Sequence, residues 1–224
     1  DPQCLDARSV AGRLLGPDGL TARRSVFERP DVLRGVAELA GEGASVADIE
    51  AVAASVLGDE RAVGIGEGVA GGRWSTAELV AVELETLEFS VRRRDSGVAV
   101  ADPEVLAGVM RSRPNLSGEQ KAMVEALCRS GDGVQVVIGV AGAGKTYALG
   151  AAYEAWRNSG IRVIGAALSA RAAQELSQGA GIYSTTIAKL AAELADRAHG
   201  GLRAGSVFAP DEAAMVSTRE LAVL

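Results

Sequence analysis

The stretch Gly139-Val-Ala-Gly-Ala-Gly-Lys-Thr-Tyr-Ala-Leu-Gly150 decides how the rest of this 224-residue chain is read. It follows directly on the apolar run Val134-Gln-Val-Val-Ile138, so a strand over 134–138 is expected to end in a tight turn and open a helix over 145–158. The spacing Gly139-x4-Gly144-Lys145-Thr146 fits a phosphate-binding loop, in which successive backbone N–H groups point inward at an anion. Gly139, Ala141, Gly142, Ala143 and Gly144 form a backbone that must visit positive φ and approach the ligand closely. Lys145 would reach the β- and γ-phosphates, the Thr146 hydroxyl would hold Mg²⁺, and Tyr147 is grouped with them as a nucleotide contact. The dipole at the start of the helix favours the same anion. The competing reading is a Gly-rich turn with an incidental lysine. The helical spacing of Tyr147, Leu149, Ala152, Tyr153 and Trp156 favours the nucleotide site, with ATP and Mg²⁺ as its occupants.

Bulk properties bound the rest. Hydrophobic residues make up 48% of the chain and aromatic ones 4%, so the core must be built from Ala, Val and Leu. The composition is that of a folded soluble protein of one domain or two small ones. No apolar run approaches the ~20 residues of a membrane span, and the expected compartment is the cytoplasm. Cys4 and Cys128 have neither metal spacing nor the density of a disulfide framework, and read as ordinary thiols. His199, the only histidine, sits beside Gly200-Gly201 and reads as a solvated helix end. The net charge of −6 argues against a protein that wraps nucleic acid over its whole surface. Residues 1–114 carry 13 Lys and Arg against 19 Asp and Glu, whereas residues 115–224 carry 10 of each. A local nucleic-acid groove in the second half remains open.

The chain divides by rhythm. Residues 1–25, with Leu14-Leu-Gly-Pro-Asp-Gly-Leu-Thr-Ala-Arg-Arg-Ser25, read as loop and linker, and residues 26–113 as a mostly helical domain. Within it, 27–41 and 45–57 have helical spacing, 62–72 reads as loop or irregular strand, and a capping box at Ser75-Thr-Ala-Glu78 opens a helix to about Arg94. Arg92-Arg93-Arg94 reads as a basic helix end. Asp102-Pro103 is an N-cap followed by proline at the first helical position. From 114 to 224, strands at 134–138, 161–166 and 206–210 alternate with helices at 145–158, 169–178 and 185–198. That alternation implies an α/β fold with a parallel sheet covered on both faces.

Two further groups complete a candidate site. Ser206-Val-Phe-Ala-Pro-Asp-Glu212 places carboxylates at the end of an apolar strand. Asp211 would orient Mg²⁺ and Glu212 would polarise the attacking water, which makes Lys145, Asp211 and Glu212 the candidate catalytic set. The same acids could simply favour a helix N-terminus. Gln120 follows Ser117-Gly-Glu in a capping box; its amide suits either an adenine edge or the box, and the two roles look mutually exclusive.

Taken together, Asn115-Leu-Ser-Gly-Glu-Gln-Lys-Ala-Met-Val-Glu-Ala-Leu127, the phosphate loop, Val163-Ile-Gly-Ala-Ala-Leu-Ser-Ala-Arg171, Gly181-Ile-Tyr-Ser-Thr-Thr-Ile-Ala-Lys-Leu190 and Asp211-Glu-Ala-Ala-Met215 resemble, in order, the first motifs of superfamily 1B, the RecD-like DNA helicases. Gly19-Leu-Thr-Ala-Arg-Arg24 onward and Arg73-Trp-Ser-Thr-Ala-Glu78 resemble the helicase region of MobF-type conjugative relaxase–helicases. The resemblance implies a RecA-like P-loop NTPase domain and ATP-driven 5′→3′ translocation on single-stranded DNA in plasmid transfer. It further implies that Ser169, Arg171, Thr185 and Thr186 line the DNA path, where short hydroxyl side chains suit phosphates. Read locally, the hydroxyl residues are helix caps. Pro210 departs from the pattern by removing an N–H from an expected central strand. The chain reads as truncated after the acidic motif, with the second RecA-like domain as its missing partner. A P-loop kinase or nucleotide switch, and a non-hydrolysing module holding DNA or a partner, are the alternative functions.

Overall fold

Asp6 starts the first helix with both carboxylate oxygens, Oδ1 accepting from the Arg8 N–H and Oδ2 from the Ser9 N–H, each at 3.2 Å. The computed structural model describes residues 6–41, 44–69, 71–140, 142–195 and 202–223. Helix α1 (Ala7–Leu14) buries Val10, Ala11 and Leu14 along one face. The expected loop over 1–25 is corrected here: Val10 and Leu14 are a helical turn apart, and this face packs into a core with Val32 and Val36 of α2 (Arg29–Ala40) and Val52, Ala53 and Val56 of α3 (Val46–Leu57). Cys4 lies outside the described residues.

Strand β1 (Phe27–Glu28) pairs antiparallel with β3 (Gly71–Thr76), which pairs in turn with β2 (Ala62–Gly68), so the uncertain stretch 62–72 is a hairpin. Helix α4 (Ala77–Arg92) follows. Its cap is Thr76 and not Ser75, because the buried Thr76 Oγ1 accepts the Leu79 N–H at 3.3 Å while the Ser75 hydroxyl donates to the Ser25 carbonyl at 2.8 Å.

The chain forms two compact units, Asp1–Thr86 with Ser217–Ala222, and Leu87–Val216 with Val223–Leu224. The division falls inside α4, so 87–113 lie with the second unit. The tie there is specific: the Trp156 indole donates to the Ala99 carbonyl at 2.7 Å, and the Ala101 N–H donates to the Cys128 carbonyl at 2.9 Å.

In the second unit, α5 (Pro103–Ser112) is capped by Asp102, and α6 (Gly118–Arg129) by the Ser117/Gln120 capping box. Helix α7 (Lys145–Asn158) leads to β4 (Val163–Ala167), then α8 (Ala170–Ala180), β5 (Ser184–Thr186), α9 (Ile187–Ala195) and β6 (Val207–Pro210). The expected helix over 185–198 begins later, since Ser184, Thr185 and Thr186 pair with Gly165, Ala166 and Ala167; His199 lies outside the described residues. The sheet is parallel, in the order β5-β4-β6. Its faces alternate as the pleat requires: Val163, Val207 and Ala209 pack with α7, while Ala166 and Phe208 pack with Ile187 and Leu190 of α9. This is the doubly covered α/β fold expected. Helices α7 and α8 approach closely at Gly150, where a Cβ would stand 3.2 Å from the Ala180 backbone.

The strand expected at 134–138 does not form among the described residues. A strand needs a ladder partner, and this segment has none in the three-stranded sheet. Val136 is 79% exposed and Ile138 92%. The Gly133 N–H is instead taken by the Arg93 carbonyl at 2.7 Å, and the Gln135 side-chain Nε2 donates to the Leu127 carbonyl at 3.2 Å.

Candidate nucleotide site

Gly144 ends the loop in the left-handed region, φ 73° and ψ 26°, and serves as N-cap of α7. Gly142 has φ 77°. Two residues at positive φ within three positions turn the backbone sharply, which is what an N–H cradle requires. Ala141 lies outside the described residues.

Lys145 sits at the first position of α7 and folds back over the loop. Its ammonium donates to the Gly139 carbonyl at 2.7 Å and to the Val140 carbonyl at 3.1 Å. An incoming phosphate can exchange for these two neutral acceptors, giving the stronger charge-assisted bond. Thr146 and Tyr147 are exposed beside it. Behind Thr146 stands Gly179, where a Cβ would lie 2.7 Å from the threonine methyl.

Gln120 closes the capping box expected of it and makes a second contact, to the loop. Its Oε1 accepts the Ser117 N–H at 3.0 Å, closing the capping box, and its Nε2 donates to the Ala143 carbonyl at 3.0 Å. The two contacts use opposite ends of the amide. Sequence spacing could show the box, but not that the loop carbonyl comes within reach.

Arg113 was not singled out by sequence. Its guanidinium stands 5.5 Å from the Tyr147 ring centroid and is held there by Glu154, with Nη2 to Oε2 at 2.7 Å. The pair is partly buried, with side chains 25% and 33% exposed, and it fixes the face of Tyr147.

The remaining candidates gather along one edge of the sheet. Register pairs Ala167 with Thr186 and Ala166 with Pro210, so Ser169, Thr186 and Asp211 all lie at or just past the carboxyl ends of adjacent parallel strands. In open α/β sheets this is the edge where ligands bind. Ser169 Oγ accepts the Ala172 N–H at 3.1 Å and caps α8, and Thr186 Oγ1 accepts the Lys189 N–H at 3.2 Å and caps α9. Thr185 lies within β5, and Arg171 makes an exposed pair with Glu175 at 2.9 Å. Each capping hydroxyl keeps its own proton to donate.

Pro210 leaves the ladder intact. Val207 donates to the Arg162 carbonyl at 2.7 Å and Asp211 to the Ala166 carbonyl at 2.8 Å. With period-two alternation, position 210 faces away from β4, and its missing N–H is on the outer side of an edge strand. The expected central strand is therefore an edge among the described residues, and the carbonyl of Ala166 holds Asp211 in line. Glu212 adopts the left-handed region at φ 51°, ψ 39°, and its N–H is accepted by Asp211 Oδ1 at 3.0 Å. Asp211 and Glu212 make no hydrogen bond with the phosphate loop among the described residues.

No group of three or more His, Cys, Asp or Glu able to hold a metal occurs among the described residues. Mg²⁺ takes one or two protein oxygens and completes its shell with water and substrate phosphates. The exposed Thr146 hydroxyl and the half-buried Asp211 carboxylate are donors of the right kind.

Comparison with known proteins agrees with this architecture. A family model described as an AAA domain matches residues 115–224. The chain is 36% identical over 154 residues to a probable conjugal transfer protein TraA of Sinorhizobium fredii (strain NGR234). It is 35% identical over 151 residues to a conjugal transfer protein TraA of Agrobacterium fabrum (strain C58), and 35% over 153 residues to one of Rhizobium radiobacter. Each match covers 67% of this chain and 14% of the relative, so the chain spans about a seventh of the length of these curated relatives. No helix among the described residues is long and apolar enough to cross a membrane.

Proposed function

We propose that this chain, whose residues 115–224 match the AAA-domain family of P-loop NTPases, is the ATP-binding part of a DNA helicase or translocase of conjugative transfer, acting on single-stranded DNA in the cytoplasm. The observation that carries the reading is the loop itself: two left-handed glycines lead into α7, with Lys145 poised on exchangeable carbonyls.

In this reading the phosphates of ATP take the place of the Gly139 and Val140 carbonyls on the Lys145 ammonium, while the N–H groups of the loop and first turn of α7 receive the remaining oxygens. Thr146 and Asp211 would hold Mg²⁺, which would supply positive charge beside the phosphates. Glu212, next to Asp211 on the same turn, accepts a proton from the attacking water. The DNA backbone runs along the edge formed by Ser169, Thr185 and Thr186, whose hydroxyl protons and neighbouring helix N-termini face phosphates. Arg171 adds a charge that is 89% exposed and only loosely paired. The second RecA-like domain is the proposed partner in hydrolysis.

Asp211 keeps its hydrogen bond to the Ala166 carbonyl despite Pro210, which supports the hydrolytic reading over a non-hydrolysing module. The test is nucleotide binding by the 224-residue chain, with single-stranded DNA binding followed by fluorescence anisotropy at rising salt. Micromolar-to-millimolar Mg·ATP affinity lost in Lys145→Ala is expected; equal affinity in both would overturn the assignment.

A further inference from the structure

Gly179 lies in the last turn of α8 with φ outside the left-handed region, so its backbone does not require glycine. Glycine is also a poorer helix former than alanine. What the position lacks is room. A Cβ at 179 would stand 2.7 Å from the Thr146 methyl and 3.8 Å from the Thr146 Cβ. The methyl, and not the hydroxyl, is the group that faces α8.

The end of α8 is pinned where it is. Gly179 meets Thr146, Ala180 meets Gly150, and Gly181 meets Tyr153, so three successive residues follow one face of α7. A Cβ at Gly150 would lie 3.2 Å from both the Cα and the carbonyl oxygen of Ala180. The backbones are thus nearly in contact one turn beyond Thr146, and that contact sets the separation of the two helices.

Threonine carries its methyl and hydroxyl on one carbon, so the two turn together about χ1. In a helix it divides between two rotamers, and its hydroxyl can turn onto a carbonyl of the preceding turn. The empty space at 179 seats the methyl and so selects between them. Filling that space would drive the methyl off α8 and re-aim the hydroxyl with it.

We propose that Gly179 is a positioning residue for Thr146: its missing side chain seats the threonine methyl and thereby fixes which way the hydroxyl points. Gly179 then acts on the metal-dependent part of nucleotide binding. The proposal rests on the nucleotide-binding reading above, in which Thr146 is a donor to Mg²⁺.

Its test is calorimetry of ATP binding to the 224-residue chain in excess Mg²⁺ and in excess EDTA. Gly179→Ala is expected to reduce the affinity gained from Mg²⁺ by about 3- to 10-fold, the usual worth of one hydrogen bond, and to spare the affinity in EDTA. In Thr146→Ser the methyl is gone, and the Cβ of residue 146, at 3.8 Å, is only an ordinary neighbour. Adding Gly179→Ala to that variant should therefore cost nothing further. In the unsubstituted chain, a nuclear Overhauser contact between the Thr146 methyl and the Gly179 α-protons is expected with and without Mg·ATP.

Equal losses in Mg²⁺ and in EDTA would make Gly179 a packing position for the whole loop, and an undiminished Mg²⁺ gain would leave its space without a role. Either overturns the proposal. So would the same loss in the Thr146→Ser background, or the absence of the methyl contact from the unsubstituted chain. ATP binding that gains nothing from Mg²⁺ would remove Thr146 from the metal, and this proposal with it, while leaving the nucleotide reading in place. A chain that bound ATP under neither condition would overturn that reading itself.

Discussion

Lys145 lies on the Gly139 and Val140 carbonyls, so in the free chain its ammonium is already partly desolvated and oriented. Removing it with Lys145→Ala should cost about 2–3 kcal/mol of nucleotide binding, or ~30–150-fold in affinity, read by calorimetry. Glu212 makes a different kind of prediction. In the longer protein proposed above, Glu212→Gln should keep nucleotide affinity and abolish turnover; an unchanged hydrolysis rate would leave Glu212 as a turn residue only. Cys128 tests the core. It is fully buried, and burial pushes its thiol up to about 12. The folded state keeps the proton while the unfolded thiol loses it near its ordinary value, so the unfolded state binds fewer protons above about pH 9 and stability falls from there toward pH 12. A Cys4→Ser chain should accordingly show no thiol reactive to a disulfide reagent when folded at pH 8, and one in denaturant.

At the scale of elements, local chemistry was legible and pairing was not. Ser45, Asp102 and Ser117 mark helix starts by side chains that reach their own backbone, a rule confined to four residues. The phosphate loop is legible for the same reason, since glycine spacing and a following helix are all local. Segment 134–138 has the composition of a strand, but a strand exists only when a second segment offers its ladder, and composition does not report that. Thr76 took the capping role from Ser75 because the β3 pairing had already drawn Ser75 toward the Ser25 carbonyl. Gln120's reach to Ala143 likewise depended on where α6 lies against the loop. Since Val134-Gln-Val-Val-Ile138 is uncharged, β-prone and exposed, it should drive self-association of the 224-residue chain. Val136→Lys is expected to raise the concentration at which light scattering rises; no change would mean that the segment is protected.

At the scale of the whole molecule, α10 (Thr218–Val223) follows the acidic turn by only a few residues, yet Ser217–Ala222 belong to the first unit. Arg219 is why. It pairs with Glu78 and donates to the Thr21 carbonyl at 2.7 Å, while Thr218 donates to Glu83 at 3.3 Å. Its guanidinium is therefore engaged within the first unit. Arg219→Ala should loosen the first unit by about 1 kcal/mol, seen as faster amide exchange in α1 and α4, and leave Mg·ATP affinity unchanged. A loss of nucleotide affinity in that variant would show that α10 also supports the loop. The unit that α10 completes is discontinuous along the chain: everything from Leu87 to Val216 is an insertion between its two pieces. During synthesis residues 1–86 emerge long before α10, and must wait, incompletely tied, while everything from Leu87 to Val216 is made.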